Sequence, residues 1–287
     1  MTTESNCKEH TIIKKRPSSR FLALSTPSSS RRSSWTDILR KQEQTLLLIL
    51  ALGLFLLVWE GIVQIGNYPP FILPSPRQVY AKLVSVLQSG LLWQHTSVTL
   101  AEIGGGLMLG LSTATILGYL MAKSRTLERF VSTYLVASQS IPIVALAPLL
   151  VIWFGPGQLS KVLVCALTLF FPMLVNTMVG IRSVDPDLRD LMRSLRATRW
   201  QTFVKLEVPA ALPTLLGGLK VSMTLSVIGA VVGEFVAADR GLGFLINVAR
   251  GNFDTSLMFV AIVTLMAIAL CLYSSIALLE NRINRRR

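Results

Sequence analysis

The chain has 287 residues, 52% of them hydrophobic and only 15% charged, and its 28 Lys and Arg against 15 Asp and Glu give a net charge of +13. With a mean hydropathy of +0.57, too little polar surface is available to solvate a globular body of this size, so lipid is the natural solvent for most of the chain. The basic residues fall in short stretches between long apolar runs and form no stripe, which excludes nucleic acid as the partner; Cys7, Cys165, Cys271, His10 and His95 are too scattered for a metal site, a disulfide framework or histidine-based catalysis.

Residues 1–44, rich in Ser, Thr, Lys and Arg with Pro17 and Pro27, read as a mostly disordered basic tail. Its SSSRRSSW stretch suits anionic lipid or phosphorylation, although a plain solvated tail is the favoured reading. An apolar run follows at 45–65 without a small-residue cleavage pattern, so it is expected as a retained membrane anchor and not a signal peptide. A bilayer core of ~30 Å needs about 20 helical residues, and further runs of that length lie at 98–122, 131–153, 161–181, 213–237 and 256–279. The expected body is therefore an all-α, six-span membrane domain over 45–281, ending in a basic segment at 282–287.

Within this domain Pro142, Pro148 and Pro172 are expected to kink spans three and four without abolishing them. Gly104, Gly105, Gly106, Gly110 and Gly118 make one side of span two small, which fits close helix packing. Between spans one and two, Pro76 can open a short amphipathic helix at the outer surface. Residues 238–255, ADRGLGFLINVARGNFDT, read as a partly re-entrant outer loop. With both termini inside, 22 Lys and Arg lie in cytoplasmic parts and 5 in external ones; this asymmetry puts both ends in the cytoplasm.

The loop over 182–212 is the most informative stretch. Asp185 can cap a helix opened by Pro186, with Leu188, Leu191, Met192 and Leu195 recurring at helical spacing. A second start follows, with Thr198 and Gln201 in capping-box positions, leading to Trp200, Phe203 and Leu206 with Pro209 as a stop. This helical hairpin either lies at the lipid headgroups, with Arg189, Arg193, Arg196 and Arg199 facing phosphates, or acts as a rigid lever docking into another protein.

These residues resemble the cytoplasmic motif shared by permeases of binding-protein-dependent ABC importers. Asp190 matches the acidic position, Leu191 and Met192 replace two small residues, Arg196 stands where glycine is usual, and Leu206, Val208 and Pro209 form the ending. FILPSPRQV, QSIPIVALAPLLVIWFG and VIGAVVGEFVAADRGLGFL extend the resemblance over 45–281, toward the nitrate, sulfonate and taurine branch and, within it, members for thiamine-precursor pyrimidines or riboflavin.

The resemblance implies a six-helix type I permease bundle in the bacterial cytoplasmic (inner) membrane, present in two copies. It also implies a separate ATPase and an external, periplasmic or extracellular, solute-binding protein. Asp187, Asp190, Arg193, Arg196, Ala197, Thr198, Trp200 and Pro209 are then the expected ATPase-coupling residues. The chain has no phosphate-binding loop, GPGQLSK lacking the second glycine, so ATP and magnesium belong to the partner and no cofactor is expected here.

Glu234, near the outer end of span five, is the first translocation-pathway candidate, against a purely structural hydrogen bond to a neighbouring helix. Gln139, Ser140 and Asn176 are further candidates, while Glu60 and Glu102 read as interfacial. The rival function is a secondary transporter driven by an ion gradient, which a missing inverted repeat weakens; a membrane enzyme would need clustered His, Cys or carboxylates.

Overall fold

The computed structural model describes residues 33–285, and among these every regular element is helical. The chain divides into two units, residues 1–54 and 55–287. Of the first unit only the start of helix α1 (Ser33–Gly66) is described, so the tail reading for residues 1–32 lies outside the described residues. Residues 33–44, expected as tail, already belong to α1, in keeping with the absence of Pro and Gly between Ser28 and Gly53.

The second unit holds α2 (Pro76–Gln88), α3 (Leu91–Lys123), α4 (Arg125–Gln139), α5 (Ile143–Phe154), α6 (Gln158–Arg182) and α7 (Pro186–Ser194). It continues through α8 (Arg199–Thr202), a π turn (Phe203–Glu207), α9 (Val208–Ala237), α10 (Leu242–Gly251) and α11 (Thr255–Asn284). Among the described residues five helices are long and apolar enough to cross a membrane, and α4 with α5 makes a sixth crossing if the bent pair is one span.

Helix α6 is the axis of the unit, packed between α3 and α9. Two helices in lipid gain no hydrophobic drive from meeting, so close van der Waals contact must hold them. The α3 glycines supply it: a Cβ at Gly106 would run into Cys165, one at Gly110 into Ala166 and Leu169, and one at Gly118 into Leu174 and Thr177, all on α6. At one end of the bundle, Ile103, Val227, Leu242, Leu245 and Val260 form an apolar core of α3, α9, α10 and α11; toward the other end Met121, Met173 and Leu174 form a second.

Two prolines act differently from expectation. Around Pro142 the third span does not merely kink: α4 and α5 meet at 98°. Pro142 disfavours helical backbone at Ile141, and its ring cannot donate the amide that would continue the ladder. Ser140 N–H and Ile141 N–H instead bond to Ala137 O and Ser138 O, each three residues back, at 3.2 Å. Pro209, expected to stop a helix, does not; α8 passes through the π turn into α9, with Val208 N–H bonded to Phe203 O five residues back. Pro209 thus sits in the first turn of α9, where a missing N–H is tolerated. Pro172 leaves α6 continuous, as expected.

Candidate functional site: the coupling hairpin and the outer loop

The hairpin between α6 and α9 is built as its caps dictate. Asp185 accepts from Asp187 N–H at 2.9 Å and Pro186 opens α7. Thr198 and Gln201 exchange both bonds of the capping box, at 3.2 and 2.9 Å. Between them Arg196 takes φ +53°, the left-handed turn that glycine usually fills. Its N–H bonds to Arg193 O at 2.9 Å, and that of Ala197 to Met192 O at 3.0 Å. This pair of bonds is a Schellman closure. It offsets the ~1–2 kcal/mol that a side chain costs in this conformation.

The hairpin presents its apolar residues outward: Leu191, Leu195 and Trp200 are all exposed, Trp200 at 70%. Asp187, Asp190, Arg193, Arg196 and Thr198 are exposed too, while Ala197 and Pro209 are half-buried. Arg193 and Asp190 form an exposed ion pair at 2.8 Å. Trp200 packs on Phe203 and Phe203 edge-on against Tyr119 of α3, with centroids 5.5 and 5.2 Å apart; these aromatic residues and Arg199 line a groove of about 450 Å³.

Three charged contacts, invisible as pairs in the sequence, tie this hairpin to the bundle. Glu207 in the π turn, 1% exposed, pairs with Lys123 at the end of α3 and accepts from Tyr119 Oη at 3.4 Å. Arg182 at the end of α6 grips both Glu128 oxygens of α4 at 2.6 Å and reaches Met121 O at 3.1 Å. Arg189 of α7 donates to Ile181 O at 2.6 Å. The bidentate fork of Arg182 fixes orientation as well as distance.

At the opposite end of the bundle lies a latch around Glu234. Consecutive amides entering α10 meet three side chains: Gly241 N–H donates to His95 Nδ1 at 3.0 Å, Leu242 N–H to Thr99 Oγ1 at 2.8 Å, and Gly243 N–H to Glu234 Oε2. Thr99 in turn donates to Glu234 Oε1 at 2.6 Å, and His95 stacks on Phe244. A helix start leaves amides unsatisfied, and a carboxylate there suits both those donors and the helix dipole. Gly241 has φ +119°, and a Cβ on it would collide with the Glu234 carboxylate.

Glu102, read as interfacial, is instead fully buried, and neither oxygen has a hydrogen-bond partner. Lys161, at the start of α6, is buried beside it at 3.7 Å. Both border a cavity of about 590 Å³ at the α3, α6 and α9 ends. A carboxylate without donors at such depth is costly, and the adjacent ammonium offsets part of that cost.

The remaining pathway candidates separate from Glu234. Gln139 and Ser140 sit exposed at the α4–α5 break, and Gln139 lines a cavity of about 420 Å³ with Phe171 and Pro172 of α6. Asn176 donates to Pro172 O at 2.8 Å and lies against Gly218. His95, Thr99, Lys161 and Glu207 escaped sequence reasoning; the only signal was that each is polar within or beside an apolar run.

Multi-pass apolar helices and a capped hairpin joining α6 and α9 are the architecture against which the relatives are compared. The family model for the inner membrane component of binding-protein-dependent transport systems matches residues 106–285. The riboflavin transport system permease protein of Chloroflexus aurantiacus is 50% identical over 82% of this chain and 87% of its own. The formylaminopyrimidine transport permease protein of Halalkalibacterium halodurans is 38% identical over 79% and 90%, and the taurine transport system permease protein of Escherichia coli 30% identical over 88% and 94%. An inward-facing MetNI methionine ABC transporter shares the fold, with TM-score 0.53, 21% identity and coverage of 71% of this chain and 97% of that one. The chain belongs to this family of binding-protein-dependent transport permeases, and is a multi-pass inner-membrane subunit of an ABC importer for a small solute. Importers of this kind work with an ATPase and a solute-binding protein.

Proposed function

We propose that two copies of this permease enclose a passage beside the α4–α5 break, and that an ATPase docked on each hairpin opens it toward the cytoplasm. The break carries this reading. It lies level with the Leu167–Pro172 stretch near the middle of α6, and Gln139, Ser140, Ile141 and Pro142 are all exposed there. Non-helical backbone and polar side chains persist at membrane depth only where protein covers them or water fills a cavity. A second copy together with a wet passage meets both conditions. Gln139, Ser140 and Asn176 then bear on the solute's path, and Glu234 acts on it by holding α10 in place.

The exposed Leu191, Leu195 and Trp200 support the hairpin as the ATPase seat, because an apolar face on a stiffly capped element suits a groove on a partner. Asp187, Asp190, Arg193, Arg196, Ala197 and Thr198 form its polar rim, and Pro209 begins the helix that carries motion into the membrane. Both termini share the hairpin's cytoplasmic side. Relatives named for riboflavin and formylaminopyrimidine systems favour a heterocyclic solute over taurine.

The test is a Gln139→Cys chain assembled with its ATPase. Disulfide or bismaleimide cross-linking between permease copies, lost when the passage is driven shut or open by a trapped nucleotide state, is the expected result. ATP-independent uptake driven by a proton or sodium gradient, with no cross-link, would overturn the reading.

A further inference from the structure

The α4–α5 break borders more than one cavity, and their linings carry a shared chemistry. The cavity of about 420 Å³ that includes Gln139 and a neighbour of about 470 Å³ hold Ser138, Leu167 and Phe171 in common. Each falls in the size range of small-molecule sites. Phe170 and Phe171, packed edge to face at 5.2 Å, belong to the wall, which suits a flat ring system.

The polar groups have a definite sense. Ser138 Oγ donates to Leu135 O at 2.9 Å and Thr113 Oγ1 to Leu109 O at 2.8 Å, whereas Thr168 Oγ1, which donates to Val164 O at 2.7 Å, lies against Gly229 of α9 and leaves Ser138 and Thr113 as the hydroxyls of the site. Their single hydroxyl protons are therefore committed to their own helices, and what each hydroxyl has left is acceptor lone pairs. Gln139 adds an amide that can turn either way. No Lys, Arg or His lines either cavity among the described residues. An anion entering here would give up its hydration with no cation to replace it.

We infer that these cavities form a solute site selective for a neutral aromatic heterocycle carrying N–H or O–H donors, and against organic anions of the sulfonate kind. The apolar walls take the ring faces and the hydroxyl acceptors take the donors at the ring edge. The inference rests on the proposed passage beside the α4–α5 break and narrows the class of solute that uses it.

The permease–ATPase complex in nanodiscs tests it, with lumiflavin as the neutral probe and naphthalene-2-sulfonate as the anionic one. Binding is read by fluorescence titration after subtraction of empty nanodiscs. Saturable lumiflavin binding at least tenfold tighter than that of the sulfonate is expected, along with a weakening of at least fivefold for 3-methyllumiflavin, which lacks the ring N–H. Leu167→Trp, which fills the shared wall, should abolish lumiflavin binding. If that variant fails to assemble, Ser138→Ala and Thr113→Val carry the test by narrowing the gap between lumiflavin and its methylated form. Equal or tighter binding of the sulfonate, or an undiminished preference in all these variants, overturns the inference. Cross-linking at Gln139 with no selective binding sinks the inference alone; selective binding without the cross-link keeps the site and removes the proposed arrangement of copies.

Discussion

Lys123 and Glu207, 84 residues apart in the chain, pair where α3 ends and the π turn runs into α9. Glu207 is almost wholly buried and Lys123 reaches it from a half-exposed position, so the pair closes the gap between the hairpin and a helix that makes no covalent link to it. π turns often mark functional sites because their looser ladder deforms more readily than α-helix.

Lys123→Met is expected to leave Glu207 buried without its cation, at a cost of ~1–3 kcal/mol. ATP hydrolysis by the assembled importer should then lose most of its stimulation by the solute-binding protein, whereas Lys123→Arg should retain it. Thermal unfolding of the two variants measures the stability part. Full stimulation in Lys123→Met would remove the pair from the coupling route.

Trp200, 70% exposed and stacked on Phe203, has the properties of an interface anchor. Trp200→Ala should weaken ATPase binding by ~2 kcal/mol or more, about thirtyfold, with membrane insertion intact. Normal binding and transport would favour a headgroup-lying hairpin instead.

Arg196→Gly should stabilise the hairpin. Relief of the left-handed penalty, ~1–2 kcal/mol, exceeds the ~0.5–1 kcal/mol by which glycine's freedom favours the unfolded chain. The gain should appear as slower hydrogen exchange at the Arg196 and Ala197 amides, both of which close the Schellman turn. Faster exchange at these amides would contradict the assignment.

Gly241→Ala should open the outer latch, since the new methyl meets the Glu234 carboxylate and the backbone is left-handed. Thr99→Val keeps the side-chain shape and leaves Leu242 N–H and Glu234 short of a partner, each loss costing ~1–3 kcal/mol. Both variants should be cut faster by trypsin after exposed Arg240, while cleavage near the hairpin stays unchanged. Glu234→Gln, which still accepts through its amide oxygen, should fall between them and the parent.

The charge asymmetry gives a topology test in a chain whose 3 cysteines are replaced. A new cysteine at Arg250 should react with an impermeant reagent in intact cells, and one at Arg285 should react only after permeabilisation. External labelling at Arg285 would overturn the six-span arrangement.

Much of this protein's architecture is legible in its sequence. The capping box at Thr198 and Gln201 and the Pro186 start are local patterns that formed as read, and the glycine stripe of α3 packs on α6 at Gly105, Gly106, Gly110 and Gly118 while Gly104 faces open space. The break at Pro142 and the passage of α8 through Pro209 are not legible there, because a proline fixes its own φ and removes one donor but does not decide how its neighbours recover the loss. At Pro142 short contacts end the helix; at Pro209 a π turn carries it onward.

The sequence by itself determined the solvent, since long apolar runs can only be helices in lipid, and it determined the hairpin, whose caps act within a few residues. Only the tertiary structure decided which carboxylates matter and how. Glu102, Glu207 and Glu234 look alike along the chain. One became the buried ion-pair neighbour of Lys161, one the partner of Lys123 and one the holder of the α10 amides, because burial and hydrogen bonding depend on what distant helices bring alongside. That information is absent from local spacing, for the energy of a buried charge is set by its surroundings and not by its position in sequence.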